Sequence, residues 1–184
     1  MQATTGVYFR SEDYAGLPRR LMIDMIDALI VSCLCGVAFL VFVLGFASKD
    51  LLFAAWASIL FCYFVLLKRS KMRTIGYRIG GVRIVGLDGK TPSVWSLTLR
   101  LLFMALGPVN YLLDIAFLSA DPHRQALRDK LAQTYVVKKR AEPMGSGQLI
   151  YRYYDIFGYN FLFREVPIGN ASDRPHDLKP STSQ

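Results

Sequence analysis

Two apolar runs without a single charged residue constrain this chain more than any other feature. They cover residues 28–48 and 51–67, and only Lys49 and Asp50 carry charge between them. A helix needs roughly 20 apolar residues to cross the hydrocarbon core of a bilayer, and each run is close to that length. Because the connection is so short, the second helix must return antiparallel to the first. The pattern predicts a transmembrane helical hairpin, with its helices at about 19–47 and 51–68.

Two other interpretations of the apolar runs fit less well. In a soluble helical protein, central helices rarely continue this far without a charged residue. A cleaved signal peptide has an apolar region of only about 7–15 residues that follows a short basic start. Here the residues before the first run include the acids Glu12 and Asp13. We therefore expect the first run to be a retained membrane helix.

The basic charge of the chain is unevenly distributed. The formal net charge is +8, and residues 68–90 hold seven bases and one acid. Such a balance in a soluble protein would suggest nucleic-acid binding. Beside membrane helices, the bases instead set the topology and contact anionic lipid headgroups. We expect no nucleic-acid partner, and we expect the N terminus and the loop 68–96 to be cytoplasmic.

A short β element is predicted on the same side of the membrane. Residues 82–86 are rich in β-branched side chains and are followed by Asp88-Gly89, a turn pair. Residues 133–138 have a similar character, and a strand without a partner would leave its backbone groups unsatisfied. We therefore expect these two segments to pair. The predicted fold class is an all-α membrane protein with this small cytoplasmic two-stranded β element.

A second apolar region is interrupted by Gly107-Pro108. It predicts a broken helix pair at about 92–106 and 109–120. If the region 94–119 crossed the membrane once, residues 121–140 would lie outside, although they carry six bases and two acids. Two half-length helices that enter and return would keep those bases inside. A third full crossing is the alternative.

The C-terminal part of the chain differs in composition from the rest. Seven Tyr and Phe residues lie between positions 149 and 166, a density that favours either the headgroup boundary or a small packing segment. Residues 141–148 are expected to form a linker. The predicted organisation is a polar lead (1–13), a membrane domain (14–140), an aromatic-rich extension (141–168) and a disordered tail (169–184).

Charged residues inside the apolar regions are the candidate functional residues. Asp24 and Asp27 lie three residues apart, so they share a helix face with Arg20 nearby. A carboxylate at this depth could exchange a proton for a cation, with Arg20 as its tuning partner, or it could be part of a charge-paired helix start. Arg100 and Asp114 are expected to neutralise each other, or Arg100 to reach Asp27.

The sequence contains no pattern typical of an enzyme. No nucleophile–base pair, phosphate-binding loop or dinucleotide fingerprint is present. The histidines, His123 and His176, have no neighbours at metal-ligand spacing. We therefore expect no catalytic activity, no cofactor and no metal ion.

Three ordered blocks of the sequence resemble the RDD family of small bacterial membrane proteins. Residues 14–20 are an aromatic-Ala-Gly followed by an arginine pair, and residues 73–89 are rich in Gly and Arg and end in Asp-Gly. Residues 121–134 open with Asp-Pro and continue with Asp-Lys-Leu-Ala. The resemblance covers about residues 14–138. It implies a multi-pass protein of the bacterial inner membrane.

The resemblance implies functional roles for Arg20, Asp27 and Asp129, the arginine and two aspartates of the family name. Asp129 would act as a cytoplasmic gate or coupling residue. Three positions depart from the family pattern. Asp24 stands where an uncharged residue is common, Arg128 where histidine is common, and Gln133 where glycine is usual.

Two functions are compatible with the resemblance. The first is transport, either of an unknown ligand or as cation/proton exchange. It requires a homo-oligomer or a partner membrane protein, because two membrane helices cannot enclose a pathway alone. The second is a non-catalytic membrane adaptor that binds a partner protein or anionic lipid.

Overall fold

A computed structural model of the protein describes residues 5–45, 48–121, 124–156 and 159–166. The helices are α1 (Leu17–Val43), α2 (Lys49–Phe61), α3 (Ile75–Ile79), α4 (Val94–Ala105), α5 (Pro108–Ala120) and α6 (Leu127–Leu131). A 3-10 turn at Ser11–Asp13 precedes α1, and a π-helical segment at Cys62–Leu67 continues α2. The strands are β1 (Thr5–Tyr8), β2 (Val82–Gly86), β3 (Thr134–Lys138), β4 (Gly145–Gln148), β5 (Ile150–Ile156) and β6 (Tyr159–Glu165).

The two predicted membrane helices are present as an antiparallel hairpin. α1, and α2 together with its π-helical continuation, are each long and apolar enough to cross a membrane, and their most apolar windows are only 11% and 17% buried. Two hydrogen bonds between the helices fix their positions relative to each other along the helix axes. The Trp56 indole donates to the Cys35 carbonyl at 3.1 Å, and the Tyr63 hydroxyl donates to Asp27 at 2.8 Å. The observed bounds differ from the predicted ones by a few residues, and residues 46–47 lie outside the described part.

The first helix is longer than a membrane requires. Its 27 residues span about 40 Å, whereas the hydrocarbon core is roughly 30 Å thick. Its N-terminal turns carry a buried face made by Arg20, Ile23, Asp27 and Val31. These positions follow the spacing of one side of a helix. These N-terminal turns, which extend beyond the length needed to cross the membrane, are called the overhang of α1. The overhang presents both apolar and charged side chains to the elements that follow the hairpin.

The π-helical segment determines which side chains at the end of the second helix face the interior of the protein. A π turn contains more residues than an α turn, so it rotates the side chains that follow. Within this segment Tyr63 and Val65 are buried, and Lys68 directly after it is buried as well. A polar hydroxyl and an ammonium group thereby face the interior of the protein.

The predicted break in the second apolar region is confirmed. The chain bends by 118° between α4 and α5. Gly107 at the bend has a backbone φ of +118°, in a region that favours glycine. Each helix is only about 20 Å long or less, which is shorter than the hydrocarbon core. A bend of this size is found in a broken span or in a re-entrant loop, and it excludes a straight third crossing.

The predicted pairing of residues 82–86 with 133–138 is confirmed. β2 and β3 are antiparallel, and the register runs from Val82 opposite Lys138 to Gly86 opposite Thr134. The apolar core lies on both sides of this ribbon. One cluster contains Ala15, Ile23, Val65, Tyr77, Val82, Ile84, Leu97 and Val136. The other contains Phe9, Tyr14, Val85, Leu87, Tyr135, Val137 and Ala141. The ribbon is therefore the layer between the hairpin and the outer strands.

The described part contains more β structure than the sequence predicted. β1 pairs with β4, which lies in the supposed linker, and β5 pairs with β6 in the aromatic extension. β4 has the sequence Gly-Ser-Gly-Gln, which lacks the β-branched and aromatic residues that indicate a strand. Its pairing depends on backbone groups, which any sequence provides. The predicted disordered tail, residues 169–184, lies outside the described residues.

The aromatic hairpin of β5 and β6 has two different faces. Phe163 is buried and its ring lies 5.8 Å from the ring of Tyr154. Tyr151, Tyr153 and Leu162 lie on the opposite face and are exposed. The inner face matches the packing alternative, and the outer face retains the aromatic character expected at a headgroup boundary.

Gly76 allows α3 to approach the overhang of α1 closely. A Cβ atom at this position would lie 2.5 Å from the Ile23 carbonyl oxygen and 2.7 Å from the Asp27 carboxylate. Neither atom can move freely, because the first belongs to the backbone of α1 and the second to a buried, hydrogen-bonded group. The close contact therefore requires a residue without a side chain.

We expect Gly76→Ala to lower the free energy of unfolding by about 1–3 kcal/mol, the usual cost of overpacking. Gly36→Ala is the matched control, because nothing lies within 4 Å of a Cβ added there. It should cause no loss of stability. Thermal unfolding of both variants in detergent micelles measures the difference. Equal stability of the two variants would contradict the close approach.

Candidate functional site

Three consecutive buried charges on α6 organise the site. Arg128, Asp129 and Lys130 are 4%, 0% and 3% exposed, respectively. Successive residues of a helix point in different directions, so each of these side chains reaches a different part of the protein. A helix of only five residues thus connects several elements through charge.

Asp129 lies between two guanidinium groups. Arg20 from α1 donates to one carboxylate oxygen and Arg100 from α4 donates to the other. The backbone N–H of Ala126 also donates to Asp129, which therefore caps its own helix. Burial alone would raise the pKa of Asp129, but Arg100, Arg20 and Arg128 outweigh it and hold this pKa well below its usual range. Asp129 thus remains ionised at physiological pH.

Both arginines use further donors, which fixes their orientation. Arg20 donates to the carbonyl oxygens of Ala15 at 3.0 Å and Arg124 at 2.7 Å. Arg100 donates to the hydroxyl of Thr134 at 2.8 Å. A guanidinium group has five N–H donors in a rigid plane, so several simultaneous bonds allow little freedom. The Arg20–Asp129–Arg100 cluster is therefore a closed arrangement.

Asp27 has a different environment. It is fully buried, and its carboxylate accepts hydrogen bonds from the Tyr63 hydroxyl at 2.8 Å, the Thr74 hydroxyl at 2.7 Å and the Gly76 backbone N–H at 2.8 Å. All three donors are neutral groups. Among the described residues, no Lys or Arg forms an ion pair with Asp27. The hydrogen bonds to Asp27 thus come from neutral dipoles.

Arg128 joins two carboxylates on two helices. It forms an ion pair with Asp24 of α1 at 2.7 Å and with Asp114 of α5 at 3.1 Å, and its backbone N–H donates to Asp114 at 2.8 Å. Burial would lower the pKa of Arg128, but the carboxylates of Asp24, Asp114 and Asp129 raise it above its usual value. Asp24 and Arg128, both departures from the family pattern, are thus in contact with each other.

The third charge on α6 connects this helix to the aromatic hairpin. Lys130 forms ion pairs with Asp121 and with Glu165 of β6, and it lies 4.4 Å from the centre of the Tyr154 ring. Burial would lower the pKa of Lys130, but its bonds with these groups raise it. The C-terminal extension is therefore attached through a buried ammonium group.

The structure corrects the predicted pairings of these charges. Arg20 binds Asp129 instead of Asp27, and Arg100 binds Asp129 instead of Asp114 or Asp27. The sequence argument used neighbours along a helix, whereas the actual partner of Arg20 lies 109 residues away. Five of the six candidate residues are buried, and Asp24 is partly exposed. The buried ones are Arg20, Asp27, Arg100, Asp114 and Asp129.

The sequence argument missed two classes of residue. Tyr63 and Thr74 are neutral hydroxyls, which do not stand out in an apolar or loop context. Arg128 and Lys130 flank Asp129, and their adjacency to it was the available signal. Among the described residues, no group of three or more His, Cys, Asp or Glu side chains is arranged to hold a metal ion.

Residues 14–133 of the chain match the RDD family model. The chain belongs to the RDD family. RDD proteins are membrane proteins, in agreement with the two apolar helices. A comparison with curated proteins gives no match, and a comparison with solved structures gives none either. In this RDD protein the matched region contains Arg20, Asp27 and Asp129, and it ends at Gln133. The φ of Gln133 is +54°, a conformation that favours the glycine usual at this position.

We expect Asp129→Asn to lower the free energy of unfolding by about 3–5 kcal/mol, because it leaves two buried guanidinium groups without their counter-ion. Glu12→Gln is the control, since Glu12 is exposed and lies 3.9 Å from Arg10. An exposed pair of this kind contributes at most about 1 kcal/mol. Chemical denaturation in detergent micelles measures both values. Similar losses in the two variants would show that the cluster is not a buried counter-ion site.

Lys68 supplies a pH-dependent contribution to stability. Burial and the positive charge of Arg100 lower the pKa of Lys68 from 10.5 to about 7. Between these two values the unfolded chain binds more protons at Lys68 than the folded protein does. The free energy of unfolding must therefore rise as the pH rises through this window.

We expect the wild-type protein to gain stability between about pH 7 and pH 10, with a slope of at most about 1.4 kcal/mol per pH unit from Lys68. Lys68→Met should remove this contribution, whereas Lys90→Met, at an exposed position, should retain it. The free energy of unfolding of each variant is measured in chloride buffers at several pH values in this range. An unchanged slope in Lys68→Met would contradict the lowered pKa.

Proposed function

We propose that this RDD protein is a component of a transporter of the bacterial inner membrane that exchanges protons for small cations at Asp27. One observation carries the proposal: Asp27 is fully buried in the first membrane helix, and every donor to it is neutral. A buried carboxylate without a cationic partner is costly. A bound proton or a bound metal cation would each remove that cost.

The groups around Asp27 suit both occupants. A hydroxyl can donate to a carboxylate, or it can rotate and offer its oxygen lone pairs to a cation. Tyr63 and Thr74 thus supply two adaptable oxygens beside the carboxylate. Oxygen ligands of this kind are those that hard cations prefer. Exchange at this position needs only one carboxylate whose occupant alternates between a proton and a cation.

The closed cluster has a separate role in this proposal. Asp129 remains ionised between Arg20 and Arg100, so it serves as a fixed counter-ion and not as the gate expected from the sequence. Its ion pairs hold α1, α4 and α6 together. The overhang of the first helix, and Asp27 with it, is thereby fixed in position.

Transport by this protein requires further membrane helices. The outward surfaces of both membrane helices are exposed and apolar, with large side chains such as Leu34, Phe39 and Phe53 on them. These surfaces would contact lipid, a second copy or a partner membrane protein. The many bases after the second helix support a cytoplasmic position for the N terminus and for the loop 68–96. The returning geometry of α4 and α5 would keep residues 121–140 on that same side.

A membrane adaptor is the second candidate function. The observation that favours it is the closed Arg20–Asp129–Arg100 cluster, since a protein that only anchors others has no need for a titrating group. In that case Asp27 would be one more structural polar group. The exposed face of the aromatic hairpin would then bind a partner protein or the headgroup region.

We expect the purified protein in liposomes with an internal pH indicator to release protons when Na⁺, K⁺ or Li⁺ is added outside. Asp27→Asn should abolish this flux, because the amide can neither bind the proton nor neutralise a cation. Asp50→Asn, at the exposed far end of the hairpin, should retain it. Tyr63→Phe should lower the flux while leaving the protein folded.

Two outcomes would contradict the transport proposal. Undiminished flux in Asp27→Asn would remove this carboxylate from the pathway. A folded wild-type protein without flux, both alone and together with the membrane proteins that co-purify with it, would favour the adaptor.

A further inference from the structure

A cavity lined by bases lies where the second membrane helix ends. Its volume is about 320 Å³, within the range of about 300–1,000 Å³ that is usual for small-molecule sites. No acidic side chain is among its described lining residues. The bases that line it are Lys68, Arg69, Lys71, Arg73, Arg83 and Lys139.

Within the described part of the chain none of these six bases forms an ion pair, and Lys68 is attracted by more distant carboxylates, those of Asp24 and Asp27. Three of the bases are held in place by backbone oxygens. Arg69 donates to Pro92 at 3.1 Å, Arg73 to Val82 at 2.9 Å and Arg83 to Ala141 at 2.7 Å. Each guanidinium group retains further donors after these bonds.

Six bases converge on this cavity, of which Lys68 is buried, Arg73 and Arg83 are partly buried, and Arg69, Lys71 and Lys139 are exposed. Around Asp129, by contrast, positive charges surround a carboxylate that compensates them. Like charges at close range instead repel each other, and repulsion strengthens where water is partly excluded. The pKa of Lys68 is lowered to about 7 by burial and by Arg100 and Arg128, which lie outside the cavity lining. A bound anion would supply the missing opposite charge to all six bases.

The position of the cavity indicates where its ligand comes from. Lys68 and Arg69 follow directly on Leu67, the last residue of the second candidate span. Bases at this level meet the phosphate groups of lipids. Arginine binds phosphate with geometrically matched pairs of N–H groups, and lysine binds it as a point charge.

We propose that this cavity is a binding site for a phosphate group, carried either by the headgroup of an anionic phospholipid or by a soluble phosphorylated compound. The inference does not depend on transport at Asp27, because the two sites use different residues. It assigns a role to the basic segment 68–83 beyond that of setting topology. The ligand would hold the end of α2 against β2.

The test measures binding to the full-length protein in an uncharged detergent. The probes are dioctanoyl phosphatidic acid, dioctanoyl phosphatidylcholine as the lipid without net charge, and inorganic pyrophosphate. The first variant is Lys71→Gln with Lys139→Gln, because both side chains are exposed and neither forms an ion pair with a described residue. Arg83→Gln is the second variant. The control, Arg19→Gln with Arg78→Gln, removes two exposed charges away from the cavity.

We expect the paired lysine variant to weaken phosphate binding by about tenfold or more, the effect of losing charged hydrogen bonds. Arg83→Gln should weaken it as well, and the control should change affinity by less than about twofold. Binding of phosphatidic acid but not pyrophosphate would support a lipid ligand. Equal binding of pyrophosphate would support a soluble one.

Three results would overturn the proposal. The first is that neither phosphate-bearing probe binds. The second is an affinity for phosphatidylcholine equal to that for phosphatidic acid. The third is equal weakening in the cavity variant and in the control, because only the net charge of the protein would then matter.

Discussion

The burial of Asp129 between two arginines is the interaction on which the rest of the structure depends. Arg20 comes from the first membrane helix and Arg100 from the first half of the broken pair, so a single carboxylate connects three elements. Its neighbours extend the connection, because Arg128 reaches α1 and α5 and Lys130 reaches β6. Removing Asp129 leaves two buried guanidinium groups without their counter-ion, which costs far more than a typical surface pair. The five residues of α6 thus determine how the water-facing part of the protein is attached to its membrane helices.

Much of the fold could be predicted because apolar patterning and β-branched residues decide it locally. The hairpin, the break at Gly107 and the β2–β3 pair all have such signals. β4 does not, since its Gly-Ser-Gly-Gln sequence resembles a linker and it pairs only because β1 lies beside it. The π-helical segment was also missed. Nothing in its apolar sequence distinguishes it from the α-helix that it continues.

The sequence singled out the buried charges as candidates, but it did not predict which of them contact each other. Charged residues in apolar surroundings are conspicuous, so Arg20, Asp27 and Asp129 could be selected. Which of them pair depends on the tertiary fold, and a single sequence contains little information on contacts between distant positions. Neutral partners are harder still to predict from the sequence, because a hydroxyl such as that of Tyr63 does not stand out in a membrane helix. Asp24 and Arg128, two positions at which the resemblance led us to expect other residue types, form an ion pair with each other.

The distance along the chain between Arg20 and Asp129 has a consequence for biosynthesis. A ribosome completes both membrane helices before it reaches the residue that neutralises Arg20, 109 positions later. The hairpin therefore enters the bilayer with this arginine still without its counter-ion. Water at the membrane surface must solvate it in the meantime, and the overhang of the first helix places Arg20 near that surface. Assembly then has two stages, and the second begins only when the Arg-Asp-Lys segment leaves the ribosome.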